Sequence, residues 1–334
     1  MIAQLDKGYL GYGIGPVAVR LLSYAFFEGR PITTRGRWMN PVVFGISSLC
    51  RRLPQLKSVE KPIFIVGMGR SGTTILGVTL SLHRSVGFLN EPKALWHSAC
   101  PSEDVIGNYA SESSGRFLFE AGDANDRTTR DFHRLYGAYL RLTGRTRILD
   151  KYPEAIFRIP FILSMFPDSR IIWLVRKGDD VIASVRGWGG EHARVTESGT
   201  ESWWGVEDRK WKQLVVEICP LIEEFTGMRE ELLSLRSDSD RAAVEWTATC
   251  LFGQRFERQF PDSIMRVNYE SLASDPAASI HEVLDFCGLD ADERVTKFAT
   301  SRLRPVQDHD RTKVNPRISA GYARAMHEMS YSHG

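Results

Sequence analysis

The stretch Gly67-Met68-Gly69-Arg70-Ser71-Gly72-Thr73-Thr74 gathers, within eight positions, the groups that bind a phosphate. Its glycines let backbone N–H groups approach an anion closely. A helix starting at Thr73 would add positive potential. Arg70, Ser71, Thr73 and Thr74 add a guanidinium and hydroxyls. The context is the one a phosphate loop requires: a short apolar run, Pro62–Val66, precedes the loop, and an apolar helix over Thr73–Leu82 follows it. Gly67 and Gly72 have the spacing of the nucleotide-hydrolysing pattern G-x-x-x-x-G-K-[ST], but Thr73 stands at the lysine position and the cation lies inside the loop at Arg70. The chemistry should therefore differ from metal-assisted γ-phosphoryl transfer, which relies on that lysine. A ligand-free strand–helix turn is the alternative reading.

A second anion receptor follows the strand Arg170–Val175. Arg176 stands at its carboxyl end, and Ser184 eight residues later on a helix over Asp179–Val185. An arginine fork with a hydroxyl suits a phosphate monoester. Taken alone, the two residues would read as a surface ion pair and a helix hydroxyl.

Ile63–Thr74, IFIVGMGRSGTT, resembles the 5′-phosphosulfate loop of sulfotransferases that use 3′-phosphoadenosine-5′-phosphosulfate (PAPS). RIIWLVRKGDDVIASV resembles the same family's 3′-phosphate motif. The resemblance covers about 61–289. It implies that Arg70, Ser71, Gly72, Thr73 and Thr74 hold the 5′ side of PAPS and that Arg176 and Ser184 hold its 3′-phosphate. Tyrosylprotein sulfotransferases carry a further arginine where this chain has Trp188, so a third 3′-phosphate contact is not implied.

Sulfuryl transfer to a hydroxyl needs a base for the acceptor proton and a cation for the departing phosphate oxygen. Glu91, in Phe88-Leu89-Asn90-Glu91-Pro92, resembles the base of the heparan sulfate and tyrosylprotein types. Lys151, in Leu149-Asp150-Lys151-Tyr152-Pro153, resembles their Lys-x-Pro lysine, and Arg70 is the other candidate cation. A loop ion pair of Glu91 with Lys93 and a solvated Lys151 are the bland alternatives, and His97 is the alternative base. Tyr269, in the segment resembling Tyr-Glu-x-Leu, implies an adenine contact, although a strand-end tyrosine is as often core. Lys313 falls where the family places a loop over the nucleotide. The family's C-terminal tryptophan segment is not evident. The histidines show no metal-ligand spacing, so no metal is expected.

The elements that must hold these residues follow from the pattern. Apolar runs at Pro62–Val66, Val86–Leu89, Arg147–Asp150, Arg170–Val175 and Ser263–Val267 read as strands alternating with helices over 131–141, 156–166, 208–225, 241–259 and 280–287. That order implies an α/β domain, P-loop-like, with a mainly parallel sheet flanked by helices and ligands at the strands' carboxyl ends. The glycine-, serine- and threonine-rich stretch 187–205 reads as a loop. Extended to 187–211, with Trp188, Trp203, Trp204 and Trp211, it would be an aromatic lid or be pinned to the core.

The chain has 334 residues, 43% hydrophobic and 25% charged, and a net charge of +2. These values fit a globular domain and exclude bulk binding to nucleic acid. Five scattered cysteines without a C-x-x-C argue against a disulfide framework and fit the cytoplasm. Residues 1–60 carry eight Lys/Arg against three acids. Residues 1–57 therefore read as a basic amphipathic N-terminal helical arm ahead of a catalytic domain at 58–334. The arm includes a helix from an Asn40 cap to about Leu53. Such an arm can lie on an anionic membrane, pack across the domain or form a homo-oligomer contact.

These readings converge on transfer of a sulfuryl group from PAPS to a hydroxyl of an acceptor: a lipid, a glycan or a small aromatic compound. An atypical kinase or NTPase and a membrane-associated scaffold with a degenerate nucleotide pocket are the rivals.

Overall fold

The computed structural model describes residues 2–31, 36–109, 115–192, 194–196, 199–305 and 312–331, with the backbone alone at residue 2 and at 188–201. Five strands form one all-parallel sheet: β1 (Ile63–Gly67), β2 (Val86–Asn90), β3 (Arg147–Lys151), β4 (Arg170–Val175) and β5 (Ile264–Asn268). Their spatial order is β2-β3-β1-β4-β5.

The apolar runs become strands covered on both faces because alternate side chains enter different cores. Phe64, Val66, Ile171, Trp173 and Val175 join one, with the helices Asp126–Thr143 and Asp238–Gln259. Ile63, Ile65, Ile172 and Leu174 join the other, with the helices Thr73–Leu80, Pro276–Phe286 and Glu293–Arg302.

From β1 the chain proceeds towards β2 on one side, and from β4 towards β5 on the other. The two strands are neighbours, in register from Ile63 opposite Arg170 to Gly67 opposite Leu174. The order of connection therefore reverses between them, and the crevice above their carboxyl ends is the ligand position of an open α/β sheet.

Several expected elements differ. The stretch 187–205 is not a plain loop. The helix after β4 runs from Gly178 to His192, and Arg194–Thr196, Gly199–Ser202 and Gly205–Val206 form a small antiparallel sheet. Cross-strand pairing supplies there the order that composition conceals. The single helix expected over 208–225 breaks into Arg209–Gln213, a wide turn at Leu214–Ile218 and two tight turns, because Pro220 has no N–H to continue the ladder. Asn40 does not cap its helix. A tight turn at Arg37–Met39 runs straight into Asn40–Arg52, and the Asn40 side chain instead accepts from Arg30 N and donates to Arg30 O (2.7 and 3.0 Å).

The N-terminal arm is folded against the domain. Its helix Ile14–Phe26 turns Arg20 inward, where it pairs with Glu28 at 2.6 Å and donates to Phe88 O in β2 at 3.0 Å. All five cysteines are free thiols. Among the described residues, no helix is long and apolar enough to cross a membrane.

Candidate functional site

The first loop leaves β1 at Gly67, whose φ is +137° and whose position would put a Cβ 2.4 Å from Leu174 O. Only glycine meets both demands. Gly72, with φ +96°, opens the helix Thr73–Leu80, and the first intrahelical bond runs from Leu76 N to Gly72 O. The N–H groups of the first turn thus stand free of the ladder at the crevice. Ser71 and Thr73 are buried and Thr74 is half-buried.

Arg70 has φ +72° and is exposed. Its Nε donates to Ser184 Oγ at 3.0 Å, which ties the loop after β1 to the helix after β4. Tyr269 completes the link. Its ring lies where a Cβ on Gly72 would reach within 2.4 Å, and the Arg176 guanidinium lies 4.9 Å from the ring centroid. Arg176 Nη2 contacts Asp180 at 3.5 Å, while its Nε is buried without a hydrogen-bond partner among the described residues. Glu270, beside Tyr269, accepts from Lys177 N at 2.8 Å and so fixes the turn that carries Arg176. Lys313 is exposed, next to Thr312, whose N–H donates to Asp179 at the start of the helix after β4 (2.9 Å).

The expected base and cation meet on the other side of β1. In the paired strands Asn90 stands opposite Lys151. Glu91 follows with φ +48°, a left-handed conformation that a non-glycine residue adopts only when its surroundings impose it. Two bonds impose it: Glu91 N donates to Lys151 O at 2.7 Å, and Lys151 Nζ donates to Glu91 Oε1 at 2.5 Å. Burial would raise the Glu91 pKa, but Lys151 and Lys93 outweigh it and hold the carboxyl below its ordinary value.

This pair begins a ladder of alternating charge that the sequence reading did not anticipate. Lys93 reaches Glu91 at 3.6 Å and Glu154 at 3.2 Å, and Lys210 reaches Glu154 at 3.9 Å and Glu245 at 2.6 Å. Glu245 accepts from Trp203 Nε1 at 3.0 Å, and the Trp203 ring lies against Gly69 of the first loop. Burial works against the charge on Glu154, yet Lys93 and Lys210 bring its pKa down to about 2. Its Glu91, Lys93, Glu154 and Lys210 line a cavity of about 110 Å³ together with Pro31, Ile106, Asn108 and Pro153, whereas Lys151 and Glu245 do not. Arg70 does not line it, whereas Gly69, Glu91, Lys93, Glu154, Trp203 and Lys210 do. The arrangement brings the loop of Gly69 and Arg70 to the edge of a chamber lined by Glu91 beside Lys93.

The other candidates divide. Trp204 and Trp211 are core residues in edge contact at 5.6 Å, Trp203 faces the cavity, and the Trp188 side chain lies outside the described residues. His97 is wedged against Phe44 and Tyr109, and burial lowers its pKa. Among the described residues no cluster of three or more His, Cys, Asp or Glu could hold a metal.

An uncharacterized protein of Aquifex aeolicus is 25% identical over 261 residues, or 74% of this chain, and the chain spans 28% of that protein's length. Of the solved structures, the sulfotransferase domain from the curacin biosynthetic pathway aligns at 16% identity and TM-score 0.49, over 83% of this chain and all of that one. A sulfotransferase of Mycobacterium tuberculosis aligns at 14% identity and TM-score 0.47, over 90% of this chain and 93% of that one. Residues 62–225, which include the loop after β1, Glu91, Lys151, Arg176 and Ser184, match the family model described as the sulfotransferase family, and this part of the chain belongs to that family.

Proposed function

We propose that the chain transfers a sulfuryl group from PAPS to a hydroxyl of its acceptor. The observation that carries this reading is the hydrogen bond from Arg70 to Ser184 across the crevice between β1 and β4. It joins a helix-opening glycine loop suited to the 5′-phosphosulfate with an arginine–serine pair suited to the 3′-phosphate. The buried, unpartnered Arg176 Nε supports the second half of the site. Tyr269, beside both Gly72 and Arg176, suits the adenosine portion, and Lys313 lies on the neighbouring strand of chain.

In the reaction the acceptor oxygen attacks sulfur while Glu91 takes its proton. The bond from sulfur to the 5′-phosphate oxygen breaks, and its electron pair leaves with 3′,5′-diphosphoadenosine. Lys151 neutralises the charge that grows on that oxygen. As negative charge grows on the departing phosphate, it offsets the Lys151 charge that depresses the Glu91 pKa, and Glu91 becomes a better base. Arg70 supplies further positive charge on the donor side. Thr73, at the position where an NTPase has its lysine, argues against phosphoryl transfer.

Incubation with ³⁵S-labelled PAPS and lipid, glycan and phenolic acceptor pools tests the reading. Label should move to one pool and require Glu91. Absence of transfer to any pool, with γ-phosphate transfer from ATP in its place, would overturn it.

A further inference from the structure

The outer face of the N-terminal arm carries an apolar surface that the chemistry above does not use. Nine of the twelve large hydrophobic side chains exposed among the described residues lie between Leu10 and Leu56. Ile14 is 87% exposed and Trp38 78%.

The face is built by two neighbouring helices on a common support. Ile14–Phe26 buries Ser23 against Tyr139 (2.8 Å), and Asn40–Arg52 receives a bond from Arg134 to Arg51 O (2.6 Å). Tyr139 and Arg134 both belong to the helix Asp126–Thr143, and the two arm helices touch each other. Their outward faces therefore adjoin. On the first, Ile14, Ala18 and Leu21 recur at helical spacing; on the second, Val42 and Leu49 do.

Charge identifies what this surface fits. Residues 1–60 are net +5. Part of that charge is internal: Arg20 and Arg30 are buried, Arg20 on Glu28, and Asp6 is engaged by Arg302. At the surface Lys7, Arg37 and Arg52 are exposed against Glu60. A second copy docking symmetrically would set this positive face against itself. A bilayer with anionic headgroups is complementary to both its charge and its apolar ridge, and Trp38 has the amphipathic ring favoured at such interfaces. Each helix has 13 residues. At about 20 Å, that length lies on a bilayer and does not cross it.

We propose that this face docks the protein on anionic lipid surfaces. The test is co-sedimentation of the full chain with vesicles of phosphatidylglycerol and phosphatidylcholine, compared with phosphatidylcholine alone. The protein should pellet with the anionic vesicles, less so as salt is raised, and Trp38→Phe should remove a blue shift in tryptophan emission. The triple variant Ile14→Ser/Trp38→Ser/Leu49→Ser should bind about tenfold more weakly or worse. Arg37→Glu/Arg52→Glu, which leaves the apolar ridge intact, should weaken binding as well.

Failure to pellet with anionic vesicles, equal binding to neutral ones or undiminished binding of the triple variant would overturn the proposal. So would a dimer in sedimentation velocity that the triple variant abolishes while vesicles stay unbound. None of these measurements involves the transfer reaction, so their outcome is separate from that of the activity proposed above.

Discussion

Lys151 Nζ lies 2.5 Å from Glu91 Oε1, at the carboxyl ends of two neighbouring strands. The lysine is 1% exposed and the carboxylate 37%, so the cation is fixed by the fold and the carboxylate opens towards the cavity. That asymmetry suits a base that must meet an acceptor and a cation that must stay still.

Replacing Glu91 with Gln keeps the side chain's size and removes its capacity to take a proton. Transfer should fall by about 10²- to 10⁴-fold while affinity for 3′,5′-diphosphoadenosine stays within about twofold. Rate and calorimetric titration on the same preparation check this, and a variant that keeps most of its rate would remove Glu91 from the role of base.

Arg176→Ala should act on the nucleotide instead. Loss of a charge-assisted contact to the 3′-phosphate should weaken 3′,5′-diphosphoadenosine by about 10- to 100-fold. Adenosine 5′-phosphosulfate, which lacks that phosphate, should lose little. Equal losses for both ligands would show that Arg176 does not read the 3′ position.

Gly72→Ala introduces a Cβ at φ +96° and 2.4 Å from the Tyr269 ring. It should destabilise the fold by about 1–3 kcal/mol in chemical denaturation. Repeating the substitution in a Tyr269→Ala background removes the steric part and should recover some of that cost. The same loss in both backgrounds would place the whole effect in the backbone.

Asp150, beneath Lys151, gives a pH test. Burial lifts its pKa to about 7, against the opposing effect of bonds from Tyr136 and Trp96. An acid with a raised folded-state pKa keeps its proton where the unfolded chain has lost it, so it costs stability progressively as pH rises from about 4 to about 7. Asp150→Asn carries no such cost. Its melting temperature relative to the parent should therefore rise between pH 5 and pH 8, and a difference independent of pH would contradict the assignment.

The parts visible in the sequence are those whose signal is local. Ile63–Thr74 and Arg170–Ser184 each combine a buried strand, a turn and a helix start in one short stretch, and the structure joins them through Arg70 and Ser184. Glu91 and Lys151 drew notice in the sequence because one directly follows a strand and the other ends one. Glu154, Lys210 and Glu245 did not, and Lys93 was read only as an ion-pair partner of Glu91. Their pairing spans four separate segments, and each alone resembles an ordinary surface charge. The one available signal was Lys210 beside Trp211 in the tryptophan-rich stretch.

The account rests on a site built for a nucleotide with a 3′-phosphate and no metal. Titrating the purified chain with 3′,5′-diphosphoadenosine in the presence of a chelator, and separately with ATP and Mg²⁺, tests it most directly. The account predicts that 3′,5′-diphosphoadenosine binds without metal and at least about tenfold more tightly, the worth of one charge-assisted contact. Tighter binding of ATP with Mg²⁺ would contradict it.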